Sequence, residues 1–298
     1  MDIYLSSPAK AALDEVLERT PGIKLNVLLT IADMPSDLEE YFARYHSIIN
    51  QVALDCGMFT KNNSNMDITT QQLFNKHAIH LKYNRERYRL AFSFDESFKP
   101  NGFEINQIHL AKLESLGIEN VTPVVHNLKN FEVNAFIRKG YTSVAIGKQE
   151  GKTNPKLLFP KVFQFIAYGV TVHLFGITDF SLLVGCPATS CDSKSWLDDA
   201  KTGVVRFWNP AKPEENKTDV LYFPDKQGKT KPGMQVYTEY EHLDKFKSYI
   251  GDYGLKIQDL NGLEGDVYRQ FLGMMYYRTL EDVVTELHRN NPLFTVKK

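Results

Sequence analysis

Six short apolar runs in this chain end in residues that can move protons or let a flat ligand reach the main chain. Val52-Ala53-Leu54 runs into Asp55-Cys56-Gly57, and Leu90-Ala91-Phe92-Ser93-Phe94 into Asp95-Glu96. Pro123-Val124-Val125 runs into His126-Asn127, Val144-Ala145-Ile146 into Gly147, His173-Leu174-Phe175 into Gly176, and Ser190-Cys191 into Asp192. Two carboxylates in one cleft can break a glycosidic bond through a covalent intermediate, one attacking the sugar while the other moves protons. Glycine at a strand end lets a planar ligand approach the backbone. An aspartate after a strand is also an ordinary helix cap or turn former, so each alone is ambiguous. Three aspartates with a histidine and paired glycines, all at strand ends, favour chemistry over capping.

These residues share a face only if the runs are parallel strands. Eight candidates are read from β-branched and aromatic runs: 2–6, 25–31, 51–57, 89–95, 121–127, 143–147, 170–178 and 189–193. Segments of helical periodicity lie between and after them, at 8–19, 36–49, 105–116, 130–139, 237–250 and 265–288. Repeated strand-then-helix alternation builds a parallel sheet covered by helices. Eight strands predict an α/β fold of the (β/α)8 TIM-barrel type, with an open doubly wound sheet as the alternative. In such a barrel the reactive groups sit at the carboxyl ends of the strands. The expected organisation is a barrel core over 1–208, a Lys- and Pro-rich loop excursion over 209–233, and C-terminal helices over 234–298 packed on the barrel, one domain overall.

Composition narrows the setting. With 298 residues, 43% apolar and 24% charged, the chain has the make-up of a globular protein rather than a disordered one. It has neither an apolar stretch of membrane-spanning length nor the layout of a signal peptide, so a cytoplasmic location is expected. Its three cysteines, Cys56, Cys186 and Cys191, form no CxxC pair and too few for a disulfide framework. A net charge of -1 gives no global field for a polyanion, so any nucleic-acid contact must be local. His77 and His80 stand three apart and read as a surface pair rather than metal ligands, because no third ligand is evident.

The strand-end residues resemble the motifs of the tRNA-guanine transglycosylase superfamily. Asp55-Cys56-Gly57-Met58-Phe59 resembles its Asp-Ser-Gly-Gly-Phe motif, and Phe94-Asp95-Glu96 its Phe-Asp-Glu motif. Val124-Val125-His126-Asn127 is similar to its Val-Gln-Gly strand, and Ala145-Ile146-Gly147-Lys148 to its Ala-Ile-Gly-Gly strand. Leu174-Phe175-Gly176 is similar to its Leu-Met-Gly segment, and Cys191-Asp192 stands where the family carries its nucleophile. The resemblance spans about residues 50–205, with the motifs in the family's order.

It implies that Asp192 attacks the anomeric carbon of a guanosine nucleotide and that Asp55 serves as general base for the incoming 7-deazaguanine. It further implies that Asp95, His126, Gly147, Lys148 and Gly176 bind the base and that Phe59 and Phe175 sandwich it. No cofactor is implied, and no metal.

Three departures shift the expected substrate. His126 replaces a glutamine and Lys148 a glycine. Leu197-Asp198-Asp199-Ala200-Lys201 replaces an arginine-bearing run that grips the anticodon loop. There is no cysteine after Cys191, so the family's zinc subdomain is missing.

Those features resemble the phage and bacterial enzymes that install 7-deazaguanine derivatives in DNA. DNA, free guanine and a 7-deazaguanine base are therefore the expected partners, with no membrane, in a bacterial or phage-infected cell. A divergent tRNA enzyme, a non-catalytic partner subunit and an unrelated barrel glycosidase are the alternatives. The tRNA enzymes pair partly through the missing region, so their dimer is not implied and a monomer stays open. Lys194, Lys201, Lys212 and Lys217 are the candidate contacts to the nucleic-acid backbone. The cluster Lys82, Arg85, Arg87 and Arg89 lies toward the wrong end of its strand and reads as a solvated linker.

Overall fold

Eight parallel strands lie close to where the apolar runs predict them: β1 (Asp2–Ser6), β2 (Leu25–Thr30), β3 (Ile49–Asp55), β4 (Leu90–Ala91), β5 (Val124–Val125), β6 (Ser143–Ile146), β7 (Thr171–Leu174) and β8 (Ser190–Ser193). The computed structural model describes residues 1–99, 101–129, 131–147, 153–224 and 234–294. Hydrogen-bonded neighbours follow the order β4-β3-β2-β1-β8-β7-β6-β5. The two ends of that order meet at a parallel bridge between Phe92 and Thr122. There the Thr122 N–H donates to the Ala91 carbonyl and the Ser93 N–H to the Thr122 carbonyl. The sheet thus closes on itself as a (β/α)8 barrel.

Helices run between the strands: α1 (Lys10–Arg19), α2 (Leu38–Tyr45), α3 (Met58–Asn62), α4 (Thr70–Asn84), α5 (Phe103–Ser115), α6 (Glu132–Lys139), α7 (Pro155–Ala167) and α8 (Phe180–Gly185). After β8 come α9 (Ser195–Lys201), α10 (Leu243–Gly251), α11 (Ile257–Leu260) and α12 (Gly265–Asn290). Periodicity alone does not mark α4, α7 or α8, but their caps do. Thr69, Asn154 and Asp179 each accept a backbone N–H from the first turn, and Thr69 forms a reciprocal capping box with Gln72.

Alternation along the strands divides the core in two. Tyr4, Leu28, Ala53, Val124 and Ala145, from five strands, form one cluster with Phe92 just past β4, and fill the barrel interior. The small Ala53 and Ala145 leave room for the rings of Tyr4 and Phe92. The other side of each strand packs against the helices in a larger cluster. Because both faces are buried, the strands read as continuous apolar runs until their polar ends.

The region after β8 departs from expectation. The 209–233 segment is not simply a loop: β9 (Val204–Trp208) pairs antiparallel with β10 (Thr218–Tyr222), which pairs with β11 (Gln235–Val236). A boundary at residue 208 would cut this hairpin, whose tip is held by Asp219. Its carboxylate accepts from Asn209 Nδ2 at 2.9 Å, Lys212 Nζ at 3.0 Å and the Tyr240 hydroxyl. Residues 225–233 lie outside the described ones. Helix α12 then returns to pack on β1, α1 and α9, completing the eighth βα unit, so it belongs to the barrel wall. Its Glu281 accepts from the Ile3 N–H at 2.6 Å and Asn26 Nδ2 at 2.8 Å. Among the described residues no helix is long and apolar enough to cross a membrane.

Gly57 is the tightest local requirement near the site. Its φ is +84°, and a Cβ there would stand 2.6 Å from Ala32 Cβ and 2.9 Å from Thr30 Oγ1. Both strain and overlap oppose any side chain. Gly57→Ala is expected to cost about 2 kcal/mol or more in urea unfolding. A loss below about 0.5 kcal/mol, the scale of an ordinary surface change, would contradict this.

Candidate active site

Asp192 projects from the end of β8 and is 7% exposed. Ser6, at the end of β1, donates its hydroxyl to Asp192 Oδ2 at 2.7 Å. Gly176, just past β7, donates its N–H to Oδ1 at 2.9 Å. Three neighbouring strand ends therefore fix one carboxylate, with both oxygens oriented by donors.

Asp95 and His126 form a second unit, 5% exposed at Asp95. Ser93 Oγ donates to Asp95 Oδ1 at 2.9 Å, and His126 Nε2 donates to Oδ2 at 3.1 Å. Burial opposes a charge on His126, but the adjacent Asp95 carboxylate outweighs it and raises the imidazole above its usual range. Buried Glu132 takes the backbone N–H groups of both His126 and Asn127, at 2.8 and 3.2 Å, fixing the turn after β5. Phe98 meets the His126 ring edge-on, with centroids 5.5 Å apart. On its other side lies Gly147, where a Cβ would come within 2.7 Å of His126 Nδ1, so only glycine admits this approach. The loop after β4 is clasped twice: Glu96 to His109 at 2.7 Å, and Asn106 to the backbone of Ser97.

Asp55 closes the constellation. Burial pushes its carboxyl up to about 6, against the pull of the Gly57 N–H at 2.9 Å, and the charges of Asp95 and Asp192 add to the rise. Asp55 thus lies within electrostatic reach of both Asp95 and Asp192. The neighbouring thiols of Cys56 and Cys191 are buried and pushed well above the ordinary cysteine range, first by burial and then by the adjacent aspartates. Neither is a nucleophile in that state.

The remaining expected residues are spread more widely. Phe175 packs its ring against Phe92 at 4.5 Å and His173 at 4.9 Å, while Phe59 on α3 is 61% exposed. Lys148 lies outside the described residues. Lys194 is exposed two residues past Asp192, whereas Lys201 ends α9, roughly 9 Å further along that helix. Lys212 places its ammonium on Asp219 and the Thr218 carbonyl. Lys217 Nζ reaches the Pro210 carbonyl at 3.4 Å within the same hairpin.

His77 is likewise not on the surface. It is fully buried, donates from Nε2 to the Phe92 carbonyl at 3.1 Å, and is driven down to about 4 chiefly by burial. His80 instead meets the Tyr88 hydroxyl. In the basic cluster, Arg85 binds the carbonyls of Tyr88 and Asn120 and Arg87 pairs with Glu39. Among the described residues, no group of three His, Cys, Asp or Glu could hold a metal ion.

Ser6, Ser93, Phe98 and Glu132 were not singled out by the run-end pattern. Ser6 ends β1 on the inward side of Tyr4, so the strand-end rule applied to β1 would have found it. Glu132 and Phe98 act from loops and a helix, where sequence carries no such mark. A cavity of about 40 Å³ opens at the opposite end of the barrel, among Asp2, Arg89, Leu90, Val172, Thr189 and Ser190. At that volume it is too small for a purine.

No family model matches the sequence, and no curated protein matches it. Among solved structures it is similar to a protein from Coccidioides immitis described as a "putative fructose-1,6-biphosphate aldolase". That likeness has a TM-score of 0.48 at 9% identity, over 97% of this chain and 92% of that one.

Proposed function

We propose that this chain is a base-exchange pentosyltransferase that replaces guanine in DNA with a 7-deazaguanine derivative. The observation that carries the reading is the division of labour among the carboxylates. Asp192 is oriented by two donors, whereas Asp55 is pushed up to about 6, where it can both give and take a proton near neutral pH. An oxygen of Asp192 attacks C1′ of the nucleotide, the C1′–N9 bond breaks, and guanine leaves with the proton of Asp55. The Asp55 carboxylate then takes the N9 proton of the incoming base. N9 attacks C1′, the C1′–O bond breaks, and Asp192 is regenerated.

Asp95, paired with His126, supplies acceptor oxygens for the donor edge of guanine. Phe175 offers one stacking face and exposed Phe59 the other. DNA is preferred over tRNA because the acidic run on α9 offers no arginine pair for an anticodon loop. Asp199 there is tied to Arg206 at 2.7 Å.

The test is exchange of labelled guanine, run in parallel on DNA and tRNA. Incorporation into DNA with tRNA at background is expected. Incorporation into tRNA alone would overturn the substrate assignment, and none into either would overturn the activity.

A further inference from the structure

We propose that His173 is a positioning residue that aligns Asp192 from beneath, a role that rests on the transferase reading of the same mouth. The imidazole lies in the barrel interior and is 1% exposed. Its Nδ1 lies 2.9 Å from Ser190 Oγ on the neighbouring strand. Its Nε2 has no hydrogen-bond partner, yet stands only 3.4 Å from Asp192 Oδ1, the oxygen that Gly176 also serves. A buried ring nitrogen left one short adjustment from a carboxylate is costly unless the contact forms during the reaction. Hydrogen bonds of this kind are often long without substrate and tighten in the complex.

Two features decide which nitrogen carries the hydrogen. The Ser190 hydroxyl can donate to Nδ1, which leaves the hydrogen on Nε2, the nitrogen 3.4 Å from Asp192 Oδ1. The reverse arrangement would set a nitrogen lone pair against a carboxylate oxygen, which is repulsive. The ring is also held on three sides, by Tyr4 at 5.9 Å, Phe92 at 4.8 Å and Phe175 at 4.9 Å between centroids. Since Phe175 is the face on which a base would stack, seating the base presses on the imidazole that orients the nucleophile.

Two-bond 1H–15N spectra of the full chain labelled with 15N-histidine test this without any substrate, His173→Gln serving to assign the signal. A hydrogen on Nε2 is expected, and a bare Nε2 would overturn the proposal whichever reaction the chain catalyses. In the exchange assay, His173→Leu should lose about 10- to 100-fold in kcat with KM for the nucleic acid unchanged. His173→Gln, whose amide N–H reaches a similar position, should recover most of that loss. Equal losses in the two variants at unchanged Tm, or an effect confined to KM, would overturn it as well.

Discussion

Replacing Asp192 with asparagine is expected to lower base exchange by at least about 10³-fold, because the amide cannot form the glycosyl ester. The fold should survive the change. The amide oxygen can still accept from Ser6 or Gly176, and the carboxylate lies at the mouth rather than in the packed interior. Unchanged unfolding together with lost exchange separates chemistry from structure. Full activity in Asp192→Asn would remove the nucleophile from the account.

Asp55→Asn should separate activity from stability in opposite directions. Asp55 must be protonated to expel guanine, so the basic limb of the wild-type profile for the first half-reaction should fall through about pH 6. In the variant that limb should flatten and the rate fall by about 10²- to 10⁴-fold. For stability, the folded-state pKa is raised from 3.8 to about 6. The native state therefore holds this proton more tightly than the unfolded chain. Its contribution is complete below about pH 4 and is lost as pH climbs through 6. Above pH 7 a half-buried charge remains, near two others. Asp55→Asn should relieve it and stabilise the protein by on the order of 1–3 kcal/mol at pH 8, with little gain at pH 4. A variant less stable than wild type at pH 8 would contradict the destabilising charge assigned to Asp55. Stability gained at the cost of activity is the usual signature of a strained site.

The barrel was legible because its strands are buried on both faces and so read as unbroken apolar runs, with polarity returning only at their ends. That same feature exposed Asp55, Asp95, His126 and Asp192. What the runs could not disclose is pairing across the barrel. Ser6 is 186 residues from Asp192, and the Ser6 hydroxyl gains meaning only when β1 and β8 meet. Strand β10 was hidden for a different reason. Its Asp219 and the lysines around it look like solvated loop until Asn209, Lys212 and Tyr240 converge on that carboxylate. The spacing of His77 and His80 placed them on one helical face but not which way the face points. Helix α4 turns His77 inward, onto the backbone of Phe92.

The most direct test is to mix the purified chain with guanine-containing DNA in the absence of free base, denature, digest and map any nucleic acid–peptide adduct by mass spectrometry. A mass increment on Asp192 is expected, absent from Asp192→Asn and discharged when a 7-deazaguanine base is added before denaturation. Exchange that proceeds with no adduct, or with the adduct on Asp55, would contradict the assignment of Asp192 as the attacking group.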